Sequence, residues 1–161
     1  MNEHRVDERS TGELVKITVN LPQSDWYDQG LEMIWAEPVD ESRYRVRNVP
    51  FYANGLAFDD VIAAAALGGI LVMQRVVESG GHSTYRIFLS DGLSTVDAKF
   101  LKYWEPLQQL GATFEAATKR LLSVDIPAST NIYQAYDLMQ AGEHSGAWDF
   151  QEGHCGHDVS T

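Results

Sequence analysis

The run His154-Cys155-Gly156-His157-Asp158 puts imidazole, thiol and carboxylate groups within one short stretch, and His144 lies upstream of it. These are the ligand types of a tetrahedral zinc site. The spacing argues against one. There is no Cys-x-x-Cys or His-Glu-x-x-His run, and adjacent His and Cys reach a common ion poorly. No metal is expected. No cofactor is expected either, because Gly-rich phosphate loops, Walker signatures and dinucleotide fingerprints are missing from the sequence.

A second set, His82-Ser83-Thr84 with Asp59 or Asp60, has the residue types of a hydrolytic triad. That chemistry needs a hydroxyl held against an imidazole that a carboxylate orients. Neighbours in an extended segment point to opposite faces, and no Gly-x-Ser-x-Gly elbow is present. No catalytic residue is therefore assigned, and the reading leans away from an enzyme. His82 is better understood as hydrogen-bonding the join between two halves of the chain. A third set, Trp35, Glu37, Tyr44 and Tyr52, with His82 nearby at the join, offers aromatic walls and a carboxylate suited to a cationic or aromatic ligand. Core packing explains Trp35 equally well.

Charge bears on partners. The chain has 161 residues, a formal net charge of -11 and 44% apolar residues. That is enough for a core, and far too acidic for a phosphate-binding surface, so nucleic acid is not an expected partner. After Arg120 there is no Lys or Arg, whereas Asp125, Asp137, Glu143, Asp149, Glu152 and Asp158 follow. The opening MNEHRVDERSTGELVK lacks a secretory apolar segment, and the longest apolar run, Val61 to Leu67, falls well short of the ~20 residues of a membrane span. One cysteine, Cys155, forms no internal disulfide. A cytoplasmic protein with no membrane partner is the expectation.

The elements that must position these groups follow from periodicity. Residues 1–13 read as a mobile arm and 14–82 as a β-rich, barrel-like module. Val15, Ile17 and Val19 alternate with polar neighbours, the period of a half-buried strand. Leu31 to Glu37 is a second strand stopped at Pro38, and Asp40-Glu41-Ser42 turns into RYRVRNV, whose Arg43, Arg45 and Arg47 pair with Glu37, Asp40 and Glu41. In the aromatic loop that follows, Phe51 and Phe58 plug the barrel end and Tyr52 points outward. Asp59 to Leu67 and Ile70 to Glu78 supply two more strands, five in all, enough for a small SH3-like barrel.

Residues 83–152 change rhythm. TYRIFL is a strand, and Ser94-Thr95-Val96-Asp97 has the form of a capping box before a helix from Thr95 to Leu110 with Phe100, Leu101, Trp104, Leu107 and Leu110 on one stripe. Thr113 to Arg120 and Leu121 to Ile126 read as strands. Ser129 caps a second helix burying Ile132, Ala135, Tyr136 and Met139, Gly142 ends it, and Ala147 to Glu152 gives a last strand. The expected class is α+β, a small SH3-like β-barrel packed against a ferredoxin-like βαββαβ module. Residues 153–161 read as a tail.

The segments WAEPV, RYRVRNVPFYANGLAFDDVI and SGGHSTYRIFL resemble a bacterial family known as domain of unknown function 4265, over most of Leu31 to Leu89 and more loosely to Glu152. The resemblance implies a bacterial cytoplasmic protein and a strand from Asp59 to Leu67. In this chain Ala63 to Ala66 replaces a more charged stretch of the family pattern. No activity and no site residues come with it.

These observations point to a non-enzymatic protein that binds another protein, an immunity protein or antitoxin that neutralises a basic toxin. Asp137, Glu143, Asp149 and Glu152 are its expected partner-binding residues, flanking the end of the second helix and the last strand in one patch. The alternative is a small-molecule sensor or enzyme whose cleft uses Trp35, Glu37, Tyr52 and His82.

Overall fold

A computed structural model describes residues 13–22 and 30–159. The expected arm, apart from Glu13, and most of the loop before Leu31 lie outside the described residues.

Five strands, β1 (Val15–Asn20), β2 (Leu31–Pro38), β3 (Arg43–Val46), β4 (Val61–Leu67) and β5 (Ile70–Glu78), form a closed barrel in chain order. Its pairings are antiparallel except where β1 meets β5 in parallel at Thr18 and Val72. Alternation selects what fills it: Ile17, Val19, Ile34, Ala36, Tyr44, Val46, Ile62 and Ala64 point inward. The run Ala63 to Ala66 has helical propensity in isolation, yet each residue pairs across to β5; tertiary pairing overrides a weak local preference.

The second sheet has the order β7-β8-β6-β9, from β6 (Ser83–Leu89), β7 (Thr113–Ala116), β8 (Leu121–Ile126) and β9 (Trp148–His154). Helix α1 (Ala98–Gln109) and helix α2 (Ile132–Ser145) cover one face, where Tyr85, Ile87, Leu122 and Val124 meet Phe100, Trp104, Ile132, Ala135 and Met139. The other face is polar. Thr84, Arg86, Ser123 and Asp125 are all fully buried there; the first three receive the loop that follows β3 and Asp125 meets His82.

The expected class is corrected. The described residues are mostly β, 41% in strands and 19% in helices, arranged in two largely antiparallel sheets, and a ferredoxin-like βαββαβ module is not supported. Strand pairing takes up most of the ordered backbone, nine strands against two helices among the described residues, and the caps expected at Ser94 and Ser129 are not the ones used. Ser94 does not cap α1; its own N–H donates to Asp97, and the helix starts at Ala98. Asn131, not Ser129, caps α2 by accepting from Tyr133 N and Gln134 N. Tyr136 is 42% exposed rather than buried.

Gly142 does not end α2. It lies inside the helix because a Cβ there would stand 2.1 Å from the Trp148 ring; the helix ends at Gly146 with φ of 84°. The last strand likewise passes the expected start of the tail at residue 153 and runs to His154. Beyond it Gly156 packs so closely on His82 that a Cβ would fall 2.1 Å from the His82 carbonyl oxygen. Among the described residues, no helix is long and apolar enough to cross a membrane.

Candidate functional site

Helix α2 buries Ile132, Ala135, Met139 and Gly142, which leaves Tyr133, Tyr136 and Asp137 on its outer side. It is locked to β9 by Trp148, whose indole Nε1 donates to Met139 O at 3.0 Å. Tyr136 meets Phe150 of β9 edge to face at 5.7 Å, and Gln140 donates to the Tyr136 hydroxyl at 3.3 Å. Asp137 lines an open groove of about 430 Å3 between the two helices, with Pro106, Leu110, Gln134 and Leu138. A second hollow, of about 330 Å3, opens at the start of α2 between Thr130, Tyr133 and His157.

The four expected acidic residues are not one patch. Glu152 pairs with Tyr85 in register and shares its helix-covered face, and its charge adds to the burial that pushes the Tyr85 phenol well above its ordinary range. Asp149 pairs with Phe88 and so lies on the opposite face of β9. Glu143 is half-buried and already engaged, its Oε2 accepting from Phe150 N at 3.3 Å. Asp137 and Glu152 are exposed on the helix side.

The pocket set is also divided. Trp35 lies outside the barrel beneath the Lys16 ammonium, 5.3 Å from the ring. Glu37 accepts from Arg47 at 3.3 Å, and Arg47 also binds Asp59 at 2.9 Å and stacks over Phe58 at 5.5 Å. Phe58 packs on His82 at 5.2 Å, so Glu37 and His82 are joined through Arg47 and Phe58. Tyr52 is not outward; it is 7% exposed and packs with Phe51 and Leu121 in a separate small cluster between the sheets. The expected arginine row is otherwise found as an ion-paired face, with Arg43 on Asp40 at 2.6 Å.

The triad types re-sort themselves. His82 Nδ1 lies 2.8 Å from Asp125, a fully buried carboxylate, rather than from Asp59 or Asp60. Ser83 Oγ lies 2.6 Å from His157 Nδ1 and accepts from Gly156 N at 3.0 Å, while His157 Nε2 sits 2.8 Å from Pro127 O. Ser83 is fully buried, so this hydroxyl–imidazole pair fastens the chain end to β6. Among the described residues, no three His, Cys, Asp or Glu groups gather where they could hold a metal.

Two residues with no assigned role in the sequence reading organise the join. Glu32 is 2% exposed and its carboxylate accepts from Phe51 N, Tyr52 N and Ala53 N at 2.7, 3.0 and 3.0 Å. Arg86, fully buried, donates to Phe51 O, Ala53 O and Asn54 Oδ1 at 2.5, 2.7 and 2.9 Å. A signal existed: Glu32 is in phase with inward Ile34 and Ala36, and Arg86 with buried Thr84.

Residues 32–150 match the family described as Domain of unknown function (DUF4265). The chain belongs to this family. The DUF4265 match spans β2 through the middle of β9, so it takes in both sheets and the loop between Glu32 and Arg86. No curated protein matches the chain. A hypothetical protein from Neisseria gonorrhoeae with a crystal structure is similar over 92% of this chain and 100% of its own, with a TM-score of 0.76 and 15% identity. At that identity the likeness concerns the fold alone.

Proposed function

We propose that this DUF4265 chain is a non-enzymatic, cytoplasmic protein that binds a basic protein partner through the outer side of α2 and the adjoining part of β9. A toxin effector held by an immunity protein or antitoxin is the partner class that fits. The observation that carries the reading is Asp137 at the edge of an open groove whose other walls include Pro106, Leu110 and Leu138. A lysine or arginine side chain lays its alkyl stem on such apolar walls and its charge against the carboxylate. Exposed Tyr133 and Tyr136 beside it are the aromatic type enriched at interfaces. After Arg120 the sequence adds no Lys or Arg to this face, so acidic groups outnumber the cation beside it, Lys99 at Gly146. The cleft alternative draws less support, because Glu37 and His82 are engaged by Arg47 and Asp125 and Tyr52 lies elsewhere.

Zero-length carboxylate-to-amine cross-linking in extract of the source cells tests this. The expected products join Asp137 or Glu152 to lysines of one basic protein; cross-links confined to the barrel would contradict the assignment.

A further inference from the structure

We infer that the free edge of β9 takes up an extended segment of the basic partner as an added strand, an inference that rests on the acidic-face reading above. The direction of the backbone groups carries it. Leu89 N donates to Arg120 O at 2.8 Å, away from β9, so Leu89 faces β8 and Phe88 faces β9. By alternation Asp149 and Gln151 make the ladder to Phe88 and Arg86, and Trp148, Phe150 and Glu152 turn their N–H and C=O groups outward. β9 is the last strand of its sheet.

Unpaired edges invite strand addition, and proteins commonly blunt them with Lys, Pro or bulges. This edge has neither Lys nor Pro. Its one bulge lies at the far end, opposite Thr84 and Tyr85, where Gly55 N closes on Gly153 O at 3.0 Å. Among the described residues the outward groups of Trp148, Phe150 and Glu152 meet a single side chain, the Glu143 carboxylate on Phe150 N at 3.3 Å. That contact is long and can be exchanged for a partner carbonyl, which frees Glu143 to pair with a cation.

Charge selects the occupant. A second copy adding β9 to β9 antiparallel would bring together two acidic edges, each carrying Asp149, Glu152 and Glu143, with no Lys or Arg on either strand, and such like-charged edges repel. The nearby cations are limited: Arg86 is buried under Gly153 with its donors engaged, and Lys99 lies at Gly146, at the start of the strand. An extended segment with basic side chains satisfies both the outward backbone groups and the flanking carboxylates.

The test is amide-resolved NMR of the isotopically labelled chain titrated with a short peptide alternating lysine and threonine, and with the same peptide carrying glutamate for lysine. The lysine peptide is expected to shift the Phe150 and Glu152 amides and slow their exchange by about tenfold or more, and the glutamate peptide to do neither. Glu152→Pro removes one outward N–H without removing a ladder bond, and is expected to abolish that protection while other amides keep their positions. If that variant fails to fold, the unaltered chain's amide pattern decides alone. Salt-dependent binding of the lysine peptide with protection elsewhere would overturn strand addition and leave the acidic-face reading standing. No binding at all, or protection of the same amides by self-association, would overturn it as well.

Discussion

Glu32 and Arg86, on different sheets, grip one loop from opposite sides: the carboxylate takes the N–H groups of Phe51, Tyr52 and Ala53, and the guanidinium takes the carbonyls of Phe51 and Ala53. Both side chains are almost wholly removed from water, where a charge is tolerated only when its hydrogen-bonding capacity is filled. The loop thereby becomes the joint between barrel and second sheet, supported by Thr84 Oγ1 on Leu56 O and Ser123 Oγ on Val49 O, each at 3.1 Å.

Arg86→Met should therefore cost several kcal/mol, because it strips the buried carbonyls of Phe51 and Ala53 and the Asn54 Oδ1 of their donor, and each buried polar group left unsatisfied costs about 1–3 kcal/mol. The urea midpoint reads it. A loss under about 1 kcal/mol would mean that water replaces the guanidinium and that the joint does not depend on it.

Much of this architecture was legible and some was not, for identifiable reasons. The strands of the barrel could be read because inward and outward residues alternate, and the ion pairs of Arg43 and Arg47 because opposite charges faced each other across a short turn. The clamp was missed because polar residues in the inward phase, Glu32 and Arg86, look like breaks in a pattern; only the loop backbone, folded back from far along the chain, gives them partners. Gly142 misled because a glycine stops a helix or admits a neighbour with equal ease, and the neighbour, Trp148, comes later in sequence. The acidic residues fall on α2 and β9, but strand parity, which divides Asp149 from Glu152, depends on a register that composition does not carry.

Asp60 gives a pH-dependent prediction. It is fully buried, and desolvation raises its pKa even though Gly80 N and Ala57 N donate to it. A carboxyl with a raised folded pKa binds more protons folded than unfolded between the two values, so stability contributed there falls as pH rises. Lowering the pH from above the folded value toward 3.8, the unperturbed value, should let this group add stability. Comparing unfolding free energies of the parent and Asp60→Asn across that range should show the parent gaining relative to the variant as pH falls; a difference that stays flat would place Asp60 at its ordinary pKa.

The chain end should matter for folding. His157→Ala removes one of the two partners of buried Ser83 Oγ, leaving it Gly156 N, and also the contact to Pro127 O, and a buried hydrogen bond left unmade costs about 1–3 kcal/mol. Thermal denaturation should register a clear fall. An unchanged midpoint would mean that residues after β9 are dispensable.

The most direct measurement of the proposed role is the association rate with the product of the neighbouring gene, followed by surface plasmon resonance at low and near-physiological salt. Asp137→Lys with Glu152→Lys is the informative variant, since both side chains are exposed whereas Glu143 holds Phe150 N. Opposing charges accelerate encounter and are screened over roughly 8 Å at physiological ionic strength. The double reversal should leave the fold intact and slow association at low salt by about tenfold, with the difference narrowing as salt rises. An association rate that neither the reversal nor salt alters would contradict recognition of a basic partner by α2 and β9.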